Sequence, residues 1–373
     1  MRQIFCILLC VLLLTSCAQK PEITETIPPV PSAPSNTEPV YLDPHEMLAV
    51  SVPASSEHIY LEDGTELCTF TKQHMQLLLQ NEAVADRIIL EFLNRVDSMQ
   101  QNIDGILTAA QENYDPATSW YPYFQHILYS PERIDHGVLS LSGIQSSYNG
   151  GIHGNVTGIS VSYDLSSGDV LTLGSILHMD ADKEDIIRMV LNKLESISED
   201  SYFFEGYEDT VRSRLGGDEN QYQDFYFTQL GLVFYFSPYE IAPYASGIIT
   251  VELPYHELIG VLYDGYFPDE QEETVGSVCT DDFMEVDMEQ FSCMEEVTVD
   301  AGETLAVVYP EGTISEIRVK YAGDGISLPE YTLFAAMEMS EENAVILGVS
   351  KDYISNLSIC YRSNGEMIET QFE

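Results

Sequence analysis

The sequence is poor in positive charge. Fifteen Lys and Arg stand against 61 Asp and Glu in 373 residues, a formal net charge of −46. Nucleic-acid binding needs clustered Lys and Arg to neutralise phosphates, so that class of partner is excluded. Attraction to an anionic lipid surface is excluded on the same ground. What the acidic balance favours is solubility, cations or basic partners. Long apolar runs are also missing. The stretch Ile4–Leu14 has eleven residues, well short of the ~20 that a membrane-spanning helix needs.

Several chemistries lack their residues. No Cys-x-x-Cys pair occurs, which leaves a zinc ribbon or thioredoxin-type site without support. None of the eight histidines has another four residues on, so a helix-borne His-x-x-x-His zinc site is absent. His45-Glu46 and His256-Glu257 begin a metalloprotease-like string, but Ala49 and Gly260 occupy the place of the second histidine. Gly158-Ile159-Ser160-Val161-Ser162 is no nucleophile elbow, because Ser162 replaces the closing glycine. No glycine-rich loop carries a lysine for phosphates. No cofactor and no metal are expected, and the chain reads as non-catalytic.

What is present begins with a leader. Arg2, the apolar run and Leu14-Thr15-Ser16-Cys17 look like a bacterial lipoprotein signal with its lipobox. That resemblance implies cleavage before Cys17 and a lipid on its sulfur, which anchors the chain to the membrane outside the cytoplasm. Residues 18–44 are rich in Pro, Thr, Ser and Glu without apolar period, and read as a disordered tether. Cys68, Cys279, Cys293 and Cys360 follow, and their three possible pairings stay open.

With 45% hydrophobic residues the remainder can bury sizeable cores. Residues 45–262 read as one α+β domain with halves 45–130 and 131–262, a mostly antiparallel sheet with helices packed on one face. Asp63-Gly64 predicts a tight hairpin, and Asn81 predicts the cap of one helix running to about Ala110. Strands are predicted over 120–129, 134–147, 157–165 and 248–253, with helices over 182–198 and 204–215. Residues 263–282 read as an acidic linker. Residues 283–373 show seven strand-like runs, from Val297–Val299 to Met367–Phe372, and read as a small all-β domain.

Two stretches stand out. The first is Tyr148-Asn149-Gly150-Gly151-Ile152-His153-Gly154, followed by Asp164-Leu165-Ser166-Ser167-Gly168-Asp169-Val170-Leu171-Thr172-Leu173. The second is Phe236-Ser237-Pro238-Tyr239-Glu240-Ile241-Ala242-Pro243-Tyr244-Ala245-Ser246-Gly247. In this order they resemble an exported domain found in lysozyme-sensing anti-sigma-V factors (RsiV) and in the non-catalytic region of PdaC-type peptidoglycan deacetylases. The resemblance covers about residues 45–260, and Ile152 departs from the family's small residue at that place. It implies the fold and the binding of a wall glycan (peptidoglycan) or of a basic wall-active protein such as lysozyme. It implies neither deacetylation nor sigma-factor sequestration.

The candidate binding or motif residues are therefore Tyr148, Gly150, Gly151, His153, Gly154, Pro238, Tyr239, Pro243 and Tyr244. The glycines most simply supply backbone shape. With no catalytic partner placed by spacing, His153 reads as a turn-holding side chain. Proline limits backbone entropy and tyrosine offers a flat face with a hydroxyl, which suits sugar or protein recognition. Two other expectations stay open: a hydrolase using His153 with nearby carboxylates, and an envelope scaffold acting through its C-terminal region.

Overall fold

A computed structural model describes residues 38–42, 47–100, 103–197, 203–217, 225–268, 273–282, 303–322 and 330–372. The leader, Cys17, Cys293 and the run Val297–Val299 lie outside these residues, as does most of the tether. The fold is α+β, with antiparallel sheets, few helices and an all-β C-terminal region.

In chain order the first elements are β1 (Glu38–Leu42), β2 (Ala49–Ser51), β3 (Ala54–Tyr60), β4 (Glu66–Gln73) and β5 (Gln76–Leu78). Helices α1 (Glu82–Met99) and α2 (Ile103–Asn113) precede β6 (Tyr123–Ile134), β7 (Val138–Tyr148) and β8 (Asn155–Asp164). Helices α3 (Lys183–Ile197) and α4 (Tyr207–Gly216) precede β9 (Phe225–Phe227), β10 (Gly231–Phe236) and β11 (Ile249–Pro254). The last strands are β12 (Gly276–Asp282), β13 (Glu303–Gly312), β14 (Ile314–Tyr321), β15 (Tyr331–Met339), β16 (Val345–Ser350), β17 (Leu357–Ser363) and β18 (Glu366–Gln371).

The central sheet has the order β3-β4-β6-β7-β8. Its pairs are antiparallel except β4 with β6. Odd-numbered side chains of its last three strands face α1: Ile127 and Tyr129, Leu139 and Leu141, Val161 and Tyr163. Helix α1 answers with Ile88, Phe92 and Val96 at helical spacing. Asn81 caps it, accepting a hydrogen bond from the Val84 amide at 3.4 Å. The predicted single helix is two helices. Helix α1 ends at Met99, and α2 turns Ile106 and Ala110 onto a different cluster with Leu67, Phe70 and Tyr123. The apolar stripe continues through the break because two cores need covering.

On the even-numbered face of β7 and β8, Ser140, Ser142, Ser160 and Ser162 are small and polar. Ser140 Oγ and Ser162 Oγ hydrogen-bond across the pair at 2.8 Å. Ser140 Oγ also accepts from the Phe227 amide at 2.8 Å, and Ser160 Oγ donates to the Phe225 carbonyl at 2.8 Å. Strand β9 is the edge of the three-stranded sheet β11-β10-β9. These serines occupy backbone groups that an edge strand leaves unpaired. The other face of that sheet is covered by α3 and α4, with Val190, Leu194, Val211 and Leu215 against Phe227, Phe234 and Phe236.

The C-terminal strands build a six-stranded sheet, β18-β17-β14-β15-β2-β5, and a four-stranded sheet, β1-β16-β13-β12. They do not pair only among themselves. Strand β2 pairs with β15, β5 with β2, and β1 with β16. Glu38–Leu42 had read as tether. As a strand it packs Leu42 on the C-terminal core, and Pro39, which cannot donate, sits at a register shift. Gly276–Asp282 had read as linker and is strand β12, paired along its length with β13. Val278 packs on the core and offsets the acidic flanks. The predicted Asp63-Gly64 hairpin is present, though its loop is longer than two residues, since Leu61 and Thr65 close it. Cys68 and Cys360 are buried free thiols, and burial first, then Glu66, pushes Cys68 up to about 12. Among the described residues no helix is long and apolar enough to cross a membrane.

Candidate functional site

The β7–β8 connection is built from its glycines. Gly150 has φ of +98°, and a Cβ there would lie 2.4 Å from Tyr123 Oη. Only glycine permits both the backbone shape and this approach. Gly151 has φ of +105°, and its carbonyl accepts from Tyr148 Oη at 3.2 Å. The Tyr148 ring stands edge-on to Tyr121 and Tyr123, with centroids 5.4 and 5.5 Å away. At the tip Ile152 is fully exposed. His153 Nδ1 donates to the Gly154 carbonyl at 2.9 Å.

The second stretch folds as a proline-led turn. Glu240 N donates to Ser237 O at 3.1 Å, and Tyr239 takes φ of +70° in the third place. Proline second and positive φ third is the pattern of a type II turn. Glu240 holds the turn closed: its Oε2 accepts from the Ser237 amide at 2.6 Å and it pairs with Arg214. Pro243 then leads into a short 3-10 turn, Tyr244–Ser246. Pro238 and Pro243 are half-buried and shape the backbone.

These two stretches meet. The His153 ring stacks on Tyr244, and Tyr244 Oη donates to the Gly154 carbonyl at 2.9 Å. Tyr239 lies beside Tyr244 at 5.6 Å and is 60% exposed. The rings of His153, Tyr244 and Tyr239 thus form a strip on one side of the Ile152 tip, and Tyr121, Tyr123 and Tyr148 form a second group at the base of the loop. Among the described residues, the partners of His153 are this carbonyl and this ring. The same residues hold no group of three or more His, Cys, Asp or Glu side chains arranged for a metal ion. Tyr121 was not singled out from the sequence. Its signal is its place two residues before β6, in the aromatic run Trp120–Tyr123.

The run from Asp164 that follows the first stretch is a turn in its own right. Asp164 Oδ1 accepts from the Ser166 and Ser167 amides at 2.8 and 3.2 Å. Its other oxygen accepts from Tyr266 Oη at 3.2 Å, which ties the turn to the chain beyond β11.

Residues 178–256 match the model of DUF3298, a protein family of unknown function. The chain carries a DUF3298 domain. It contains α3, α4, β9, β10 and nearly all that follows to the turn after β11, so Tyr239 and Tyr244 lie in the DUF3298 segment and His153 lies before it. Two solved structures of the family are similar to the chain. One, from Pseudomonas aeruginosa PAO1, has 14% identity and a TM-score of 0.41, covering 60% of this chain and 98% of its own. Another, from Bacteroides fragilis, has 19% identity and a TM-score of 0.42, covering 60% of this chain and 96% of its own. No curated protein matches the chain.

Proposed function

We propose that this chain is a lipid-anchored, extracytoplasmic binding module that recognises a cell-wall glycan without catalysis. The observation that carries the reading is the strip of exposed Tyr239, His153 and Ile152 with half-buried Tyr244, assembled from two distant stretches on tight turns. Flat rings held by a rigid backbone offer stacking surface at little entropic cost, which suits the apolar faces of sugar rings. His153 holds the loop through the Gly154 carbonyl, a positioning role. The resemblance of the two stretches to RsiV-type and PdaC-type exported domains supports the same class of ligand. The lipobox at Cys17 supports the anchor.

A second reading is favoured by charge. A formal net charge of −46 attracts a basic wall-active protein such as lysozyme and speeds its encounter. One experiment separates the two. The mature chain is incubated with purified peptidoglycan sacculi and, separately, with lysozyme, at low and raised salt. The glycan reading expects co-sedimentation with sacculi that survives salt. Capture of lysozyme alone, lost on raising salt, supports the second reading. Binding to neither rules out both. For the anchor, Cys17→Ala should abolish incorporation of labelled fatty acid and release the chain from membranes.

A further inference from the structure

A cleft of about 290 Å³ opens where three sheets meet, apart from the aromatic strip. Its floor is formed by β6–β8, with Leu128, Ile144, Gly158 and Ile159. Its walls are Tyr226 and Tyr235 from the DUF3298 sheet and Tyr331 from β15. Its rim carries Ser142, Thr250 and Glu330. We propose that this cleft is a subsite for one neutral sugar ring of the glycan, a proposal that rests on the glycan reading above.

Size is the first argument. The volume lies at the lower end of ligand pockets, which run from ~300 Å³ upward, and so suits a single sugar unit. Shape is the second. A Cβ at position 158 would fall 2.6 Å from the Tyr235 ring, so glycine is what lets that ring lie against β8 as a wall. Ser160 Oγ, 3.2 Å from Tyr235 Oη, fixes it there. The result is an apolar floor between phenol faces, with hydroxyls at the edges, which matches the mixed faces of a pyranose.

Charge decides the class of sugar. Among the described residues no Lys or Arg lines the cleft, and Arg214, whose guanidinium lies 5.5 Å from the Tyr235 ring, is paired with Glu240. Glu330 stands on the rim, and Ser142 Oγ donates at 2.6 Å to Glu132 just outside. A carboxylated or phosphorylated sugar would meet like charge, so the ring is neutral. Burial, and then Glu132 and Glu252, push the Tyr226 phenol up to about 12. It therefore stays a hydrogen-bond donor through the physiological range. Strand β8 joins this cleft to the strip: Gly154 and Gly158 are four residues apart, about 13 Å along an extended chain. A glycan strand lying along β8 reaches both.

The test uses the full mature chain with N-acetylglucosamine, its β-1,4-linked disaccharide and N-acetylmuramic acid as probes, read by calorimetry and saturation-transfer NMR. Neutral probes should bind, with the acidic sugar at least about ten-fold weaker. Thr250→Trp fills the mouth from an exposed position and should weaken the disaccharide at least about ten-fold. Tyr226→Phe should weaken it by roughly two- to ten-fold, the worth of one hydrogen bond. Both variants are checked for unchanged circular dichroism and melting temperature. If sacculi bind but no small sugar does, or if Thr250→Trp binds like the parent while Tyr239→Ala does not, the cleft proposal is overturned and the glycan reading stands. If neither sacculi nor sugars bind, both fall. Preference for the acidic sugar overturns the assignment to a neutral ring.

Discussion

His153 lies nearly flat on Tyr244, with ring centroids 4.3 Å apart and 24° between planes, and both side chains donate to the one Gly154 carbonyl. That carbonyl is the point where the β7–β8 loop is fastened to the DUF3298 segment. The two aromatic faces are held by backbone, so neither needs to reorganise to meet a ligand. A preformed surface loses less entropy on binding than a mobile one.

Replacing Tyr244 separates its ring from its hydroxyl. Tyr244→Phe keeps the stack and loses one hydrogen bond, and sacculus binding should stay within about three-fold of the parent. Tyr244→Ala removes the stack and frees the loop, and binding should fall at least ten-fold, as for a central aromatic anchor of ~1.4 kcal/mol or more. Stability should move by only about 1 kcal/mol, since the ring is half-buried. Co-sedimentation alongside thermal melts reads both. Unchanged binding by the alanine variant removes the strip from the proposed function.

Gly150 offers a double-mutant test of the loop. Gly150→Ala meets both a φ of +98° and Tyr123 Oη at 2.4 Å. It should destabilise the chain by about 2 kcal/mol in urea titrations. Adding Tyr123→Phe removes the nearest atom and leaves the ring carbon at 3.2 Å. Part of the loss should return, because the backbone strain persists. Full recovery would show that the conformation at 150 costs nothing.

Glu66 ties a pH dependence to the first hairpin. Burial works against its charged form, but hydrogen bonds from His58 and Thr69 and the His58 charge outweigh it, so the carboxyl sits below its ordinary value of 4.5. A carboxylate with a depressed folded value stabilises the fold above the unfolded value, and that contribution is lost as pH falls through the folded one. Stability should therefore decline as pH drops below 4.5, with a shallower decline in Glu66→Gln. Urea midpoints measured from pH 6 downward decide it, and parallel curves for the two proteins would remove Glu66 from the acid response.

Local signals were legible and long-range ones were not. Asn364 and Gly365, both at positive φ, close the β17–β18 hairpin as that dipeptide predicts. Asn81 caps α1 because its side chain reaches the first free amides. Residue alternation is a local signal. It carries no information on partner, and Ala49 pairs with Ala336 across the whole chain. The site shows the same division. His153 and Tyr244 were both marked by their motifs, but ninety residues part them, and spacing cannot bring them together. The cleft was not visible at all, since Tyr226, Tyr235 and Ser142 each read as ordinary strand residues.

A buried ion pair bears on whether the DUF3298 sheet is seated firmly enough to hold the strip in place. Arg133 and Asp135 form an ion pair at 2.5 Å with side chains 0% and 2% exposed. Arg133 Nη1 also donates to Tyr255 Oη and the Tyr266 carbonyl, each at 2.7 Å. Its guanidinium lies 5.5 Å from the Phe227 ring and 5.6 Å from that of Tyr255. Asp135 Oδ1 meanwhile accepts from the Gly137 and Val138 amides at 3.0 Å and shapes the β6–β7 turn. One partner without the other leaves a buried charge uncompensated, which costs about 3–5 kcal/mol. Asp135→Asn keeps an oxygen for the turn amides and removes the charge, and it should cost that much in urea titrations. Arg133→Met with Asp135→Asn removes both charges and should cost less than the sum of the two single changes, a coupling read from the double-mutant cycle. Loss of the pair should also weaken sacculus binding at 25 °C without touching a strip residue, because β9 and β10 position Tyr239 and Tyr244. A cost under 1 kcal/mol for Asp135→Asn would show that the pair does not hold the two sheets together.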